Sequence, residues 1–149
     1  MGMIGALELQ DGGLGRLGAG MKWQWFEKLA AMVFGENGFA VRQGEVRMFG
    51  ATRRQYDIIA EGPRFIIAAD CKRWSGNRGK ASQAKRAAEA QAERCGLLRQ
   101  GNPKEIIPMI ITLGSEGISV HQGVPVVPIG MLNSFLNRIE EYEGLIRRI

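Results

Sequence analysis

Tyr56-Asp57-Ile58-Ile59-Ala60-Glu61-Gly62-Pro63-Arg64-Phe65-Ile66-Ile67-Ala68-Ala69-Asp70-Cys71-Lys72 reads as two apolar strands joined at Gly62-Pro63, with an acid near the outer end of each. A turn over residues 61–64 sets Ala60 against Phe65, which puts Asp57 opposite Ala68 and Gln55 opposite Asp70. Side chains alternate along a strand, and opposed residues share a face. Asp57, Asp70 and Lys72 are therefore expected on one face, the aspartates as diagonal neighbours, with Ile67, Ala69 and Cys71 turned into core. A loop one residue longer or shorter would split the carboxylates between the two faces.

Upstream, Lys22 to Phe34 predicts a helix, with Phe26, Leu29, Ala30 and Val33 on one face and Gly35 and Asn37-Gly38 as the stop. Glu27 sits at the border of that face. Phe39 to Arg42 reads as a short strand, and residues 45–60 as a second strand interrupted at Phe49-Gly50-Ala51. Downstream of Lys72 comes a polar loop, Ser75-Gly76-Asn77-Arg78-Gly79, and then an alanine-rich helix over 80–99. Its small face is Ala84, Ala88, Gln91, Cys95 and Leu98, and Gly101-Asn102-Pro103 ends it. Ile106 to Leu113 is a further strand whose Pro108 indicates an edge or a bulge. Gly117 to Val120 and Val124 to Val127 form a hairpin, and a helix begins near Met131. This order predicts an α/β sandwich with a mixed central sheet flanked by helices. Phe135, Ile139, Tyr142, Ile146 and Ile149 make a seam along the last helix that fits either a homodimer or packing on its own sheet. A sheet edge is the other route to a homodimer.

A chain of 149 residues is one domain's worth, divided here into a flexible glycine-rich arm over 1–20 and a domain over 21–149. Its apolar runs reach only five or six residues, too short for a bilayer, and Glu8 and Asp11 interrupt the first twenty, so a cytoplasmic chain is expected. Two cysteines and one histidine do not make a four-ligand zinc site. Cys71 and Cys95 read as small buried residues, and His121 as a turn or rim residue.

Charge is unevenly spread. Residues 42–86 hold eleven Lys/Arg against four acids, a balance of +7 in a chain of net +5. Such a stretch is the footprint of a polyanion partner. Within it, two carboxylates side by side at the end of an apolar strand are costly without a partner. Lys72 supplies one positive charge; a divalent cation supplies two more, and Mg²⁺ prefers carboxylate oxygens.

Asp57, then Asp70-Cys71-Lys72 thirteen residues on, after a helix bearing Glu27, resembles the core of the PD-(D/E)XK nuclease superfamily, nearest its Mrr-like restriction endonuclease and archaeal Holliday-junction resolvase branches. Tyr56-Asp57-Ile58-Ile59-Ala60 and Ala69-Asp70-Cys71-Lys72-Arg73-Trp74 match the paired motifs, with Tyr56 where the superfamily has its proline. Gly123-Val124-Pro125-Val126-Val127-Pro128-Ile129, followed by Leu132 and Phe135, also resembles Mrr-type domains, so the likeness spans about residues 22–138.

The resemblance implies a restriction-endonuclease-like fold and a Mg²⁺- or Mn²⁺-dependent endodeoxyribonuclease acting in restriction or DNA repair. Asp57, Asp70 and the Cys71 backbone carbonyl would ligate the metal, Glu27 would complete the shell directly or through water, and Lys72 would orient the attacking water. The helix after the second motif often adds a Gln or Lys, here Gln83 or Lys85. Arg53, Arg54, Arg73, Arg78 and Lys80 are the expected phosphate contacts on DNA, and Trp74 fits stacking on a base or packing in the fold. A Holliday-junction resolvase and a DNA-binding module of this fold that does not cut are the alternatives.

Overall fold

The apolar runs condense into one sheet. A computed structural model of the chain describes residues 23–74, 80–114 and 116–149; the arm expected over 1–20 and the loop over 75–79 lie outside them. Helix α1 (Trp23–Glu36) is followed by β1 (Ala40–Phe49), β2 (Thr52–Glu61) and β3 (Phe65–Lys72). Then come α2 (Lys80–Arg99), β4 (Glu105–Thr112), β5 (Ser119–His121), β6 (Val124–Pro128) and α3 (Leu132–Asn137). Among the described residues the sheet has six strands in the order β1-β2-β3-β4-β6-β5. β1, β2 and β3 are antiparallel, β3, β4 and β6 run parallel, and β5 closes antiparallel on β6. The α/β class with a mixed central sheet is as the sequence predicts. No helix of the described residues is long and apolar enough to cross a membrane.

Two helical layers cover the sheet. Phe26, Leu29, Ala30, Val33 and Phe34 of α1 pack with Leu132 and Phe135 of α3 on Ile58, Ala60, Ile67, Ala69 and Cys71. On the other side Ala84 and Ala88 of α2 meet Ile110 and Val126, while Cys95 and Leu98 meet Tyr56, Ile59, Ile66 and Ala68. Coverage of both faces is why β3 and β4 are continuous apolar runs rather than alternating ones. Cys71 and Cys95 are free, buried on opposite faces of the sheet.

Four expectations need correction. The short strand over 39–42 and the first part of 45–60 are one strand, β1, and Gly50-Ala51 is the hairpin turn between it and β2. The β2–β3 register is two residues from the expected one: Glu61 pairs Ile66, Ala60 pairs Ile67 and Ile58 pairs Ala69. Glu61 stays in the strand because Lys104 Nζ grips its Oε2 at 2.8 Å and the Gly62 carbonyl at 2.9 Å. The turn therefore starts one residue later, with Gly62 N–H donating to Phe65 O at 2.9 Å. Gly62 is also the point where the Phe39 ring approaches, 2.9 Å from where a Cβ would stand. A shift of two preserves face parity.

Pro108 is neither at an edge nor in a bulge: β4 lies between β3 and β6, and Pro108 pairs Ala68. Its missing N–H falls on the side of β4 away from β3, so the pairing with β3 is kept. The buried Gln91 of α2 also ties α2 to β3, donating Nε2 to the Ala68 carbonyl at 2.9 Å. Finally, the long terminal helix stops at Asn137 and gives way to a 3-10 turn, Ile139–Tyr142. The chain then folds back, and Ile149 exchanges two backbone hydrogen bonds of 2.9 Å with Ile106 at the start of β4. Phe135 and Ile146 are buried with α1, and Ile149 packs on the α2 side, so no helical seam is left to join two subunits.

Candidate active site

Strand alternation slips at Asp57. Ile58 packs in the α1 layer and Ile59 in the α2 layer, as period two requires. Tyr56 nevertheless also belongs to the α2 layer, and its hydroxyl donates to the Arg94 carbonyl at 2.6 Å. Asp57 absorbs the mismatch and points along the sheet toward β3 instead of to either face. On β1 the facing residue is Gly44, at φ +60, and this is the step at which the β1–β2 ladder skips a pair while its register runs on unchanged. Only glycine takes that backbone conformation without strain.

The result is a short gap between β2 and β3. Backbone pairing ends at Ile58–Ala69, so the register brings Asp57 directly opposite Asp70 rather than diagonal to it. Asp57 Oδ2 accepts the Cys71 backbone N–H at 2.9 Å. A strand residue's N–H and C=O point to the same side, so the Cys71 carbonyl opens into the same gap. Asp70 is 9% exposed, and Lys72 Nζ stands 3.1 Å from its Oδ2. That ion pair lacks hydrogen-bonding angles, and Oδ2 is buried with no hydrogen bond. Such an atom calls for a partner.

Electrostatics report the crowding. Burial pushes the Asp57 carboxyl from its ordinary 3.8 up to about 7; the Asp70 carboxylate reinforces this by accepting a hydrogen bond from the protonated form, and the Cys71 N–H opposes it. Glu27 is raised by burial and then by the Asp70 charge, against a hydrogen bond from Trp23. Burial, followed by the charges of Asp57, Glu27 and Asp70, lifts the Cys71 thiol well above its usual range, so Cys71 offers its backbone here, not its sulfur.

Glu27, Asp57, Asp70 and Lys72 therefore come together. Among the described residues no three His, Cys, Asp or Glu side chains cluster tightly enough to hold an ion by side chains alone. The donor set in the gap is two carboxylates and a backbone carbonyl, with Glu27 farther back. Hard cations take oxygen donors of this kind.

The sequence did not single out Trp23. Its indole bonds Glu27 one helical turn on, its ring stacks edge-on against Phe26 at 5.3 Å, and the Arg73 guanidinium lies over it at 5.4 Å. The i, i+4 spacing of Trp23 and Glu27 was the available signal. Gln43 docks α1 on β1 by donating Nε2 to the Glu27 backbone carbonyl at 3.2 Å.

The expected DNA contacts divide. Arg53 is exposed and Arg73 is exposed with its guanidinium over the Trp23 ring, and Arg54 is bound to α2, clamping Glu93 through Nε at 2.9 Å and Nη2 at 2.6 Å. Trp74 packs on the cluster of Ala84, Ala88, Ile110 and Val126. Gln83 and Lys85 stand exposed on α2, and among the described residues no hydrogen bond or ion pair joins them to the carboxylates. Arg78 and the Lys80 side chain lie outside the described residues. Part of the basic balance is met locally: Arg42 pairs Glu45 and Glu61, Arg47 pairs Glu45, and Arg64 pairs Glu140. His121 sits at the rim as expected, Nε2 3.2 Å from Ser119 Oγ, beside the β5–β6 turn at Gln122-Gly123.

No protein-family model matches the chain. Its fold superposes on the crystal structure of protein VC1899 from Vibrio cholerae with a TM-score of 0.51 at 11% identity, over 80% of this chain. It spans about a third of that protein, 33% of its length, and the likeness is one of fold alone. An uncharacterized protein of Archaeoglobus fulgidus is 30% identical over 122 residues, which are 82% of this chain and 95% of that one. At that identity over nearly the whole of the archaeal protein, the chain belongs to its family.

Proposed function

We propose that the chain is a metal-dependent endodeoxyribonuclease of the PD-(D/E)XK kind, of Mrr-like restriction or repair type, with Asp57, Asp70, Lys72 and Glu27 as its working residues. One observation carries the reading: opposed carboxylates and a lysine meet where β2 and β3 part, and an Asp70 oxygen is left there without a hydrogen bond.

The residues fit a divalent cation. Asp57, Asp70 and the Cys71 carbonyl would hold Mg²⁺ or Mn²⁺, with Glu27 reaching it through water. When bound, the cation supplies positive charge against the phosphoryl oxygens and acidifies water at the site. The remaining work falls to the chain. Lys72, fixed by Asp70, faces the place where phosphate and water meet, orienting the water and stabilising its deprotonated form. A P–O bond forms to the water oxygen as the P–O bond to the departing deoxyribose oxygen breaks, and the water's proton ends on that leaving oxygen. The hydrogen bond from the Cys71 N–H keeps the Asp57 carboxyl in place. Exposed Arg53 and Arg73 offer charge to the DNA backbone.

The test is incubation of the purified protein with duplex, single-stranded and branched DNA in Mg²⁺ and in Mn²⁺. Cleavage that is lost in Asp70→Asn and Lys72→Ala, with both variants folded, is the expected result. Unchanged cutting by either variant, or tight binding without cutting on every substrate, sinks the proposal.

A further inference from the structure

Beside the carboxylate gap lies a cavity of about 260 Å³ that the chemistry above does not use. Trp74, Ala84, Val126 and Pro128 form its apolar walls, and Thr112, Ser119, His121 and the charged Glu116 are its polar members. It opens at the C-terminal ends of the parallel strands, because Thr112 pairs Lys72 on one side and Pro128 on the other. A neighbouring strand is only about 4.8 Å away. A phosphate held at Lys72 therefore has the nucleotide next to it within reach of this cavity.

The shape and chemistry select the occupant. The volume falls just under the roughly 300–1,000 Å³ of drug-sized sites, which suits one flat ring system. An indole forms one wall. The polar members lie close together, His121 Nε2 within 3.2 Å of Ser119 Oγ, as for reading the edge of a ring. Apolar walls beside the Glu116 carboxylate disfavour a phosphate, which would lose its hydration there and meet a like charge. A neutral aromatic base stacks on such a wall without that penalty.

We infer that this cavity takes one nucleobase of the DNA, stacked on Trp74 and contacted at its edge by Thr112, Ser119 and His121, adjacent to the phosphate that is cut. The inference rests on the nuclease reading and narrows its substrate class. A base inside an intact duplex is stacked and paired and has to leave the helix to enter. The preferred DNA thus carries an unpaired or readily extruded nucleotide beside the scissile phosphate.

Fluorescence tests the inference directly. Short single-stranded DNAs carrying one 2-aminopurine, moved position by position, are bound to the non-cutting Asp70→Asn protein. One position should be strongly quenched. The quench should persist in part with Trp74→Phe and disappear with Trp74→Ala. Ser119→Phe fills the cavity from the exposed edge strand with Trp74 left in place, and should also abolish it. Binding should weaken about tenfold in Ser119→Phe, within the contribution of one base–aromatic stack, and fully paired DNA should bind about tenfold more weakly than the same strand unpaired. Quenching at no position, or quenching that survives both Trp74→Ala and Ser119→Phe, overturns the cavity's assignment. The two readings fail separately. Wild-type protein that cuts DNA with a preference for unpaired over paired strands that Ser119→Phe leaves unchanged removes the base site and leaves the nuclease. A position-specific quench in a protein that cuts no DNA removes the nuclease and leaves the base site.

Discussion

Asp57 does for β3 what a backbone carbonyl would do elsewhere in the sheet: its Oδ2 accepts the Cys71 N–H at 2.9 Å, just past the last true β2–β3 pair at Ile58–Ala69. The ladder is thus continued by a side chain, and a gap the width of a carboxyl group is held open opposite Asp70.

Acid should stabilise the metal-free protein through Asp57. Its folded pKa, about 7, lies above its ordinary 3.8, so the folded chain binds this proton more tightly than the unfolded one. The contribution is full below the unfolded value and is lost as pH rises toward about 7. Asp57→Asn keeps an acceptor for Cys71 N–H and cannot ionise. Its melting temperature in chelator should exceed wild type by a few degrees near about pH 8, and the two should converge near about pH 4. Thermal melts across that range in EDTA decide it.

Divalent cation should reverse that penalty. Mg²⁺ or Mn²⁺ at about 100 times its Kd stabilises a protein that binds it only when folded by about 2.7 kcal/mol. The wild-type melting point should rise accordingly near neutral pH. Asp70→Asn should show little of the rise, and EDTA should remove both the stabilisation and the cleavage.

Arg53 and Arg54, adjacent in sequence, should behave differently on DNA. Arg53 is exposed, while Arg54 is tied to Glu93 by two hydrogen bonds. Replacing a residue that contacts phosphate lowers the slope of log affinity against log salt by about one. Arg53→Ala should do so; Arg54→Ala should leave the slope unchanged and lower thermal stability instead. Salt titrations of DNA binding, paired with melts, separate the two.

Gln91→Leu should destabilise the fold by about 0.5–1.5 kcal/mol, the net worth of one intramolecular hydrogen bond. The bond lost is the one from Gln91 Nε2 to the Ala68 carbonyl. Urea unfolding measures the loss. DNA cleavage at low temperature should be retained, because Gln91 bonds β3 upstream of Asp70.

Much of this was legible in the residues themselves. The period-two pattern on either side of Gly62-Pro63 gave the hairpin, and parity kept Asp70 and Lys72 on one face although the register was two residues out. The helix faces of α1 and α2 followed from 3.6-residue spacing. What stayed hidden depended on partners far away in sequence. Lys104 keeps Glu61 in its strand from 43 residues away. Pro108 sits in the middle of the sheet, between β3 and β6, where proline alone indicates an edge. Ile149 bonds Ile106, and the chain end that read as helix is drawn onto β4. Arg54 reads as one more basic residue until Glu93 is placed against it. Periodicity describes an element's own face and is silent about such cross-chain contacts.

Because the Asp57 carboxyl lies in the plane of the sheet, the candidate centre takes members from both sides of the molecule: Glu27 from the layer of α1, Lys72 from the side that α2 covers. Loosening either helix would disturb the same two carboxylates. Substitutions in two separate hydrophobic interiors, with no atoms in common, should therefore produce the same loss of catalysis.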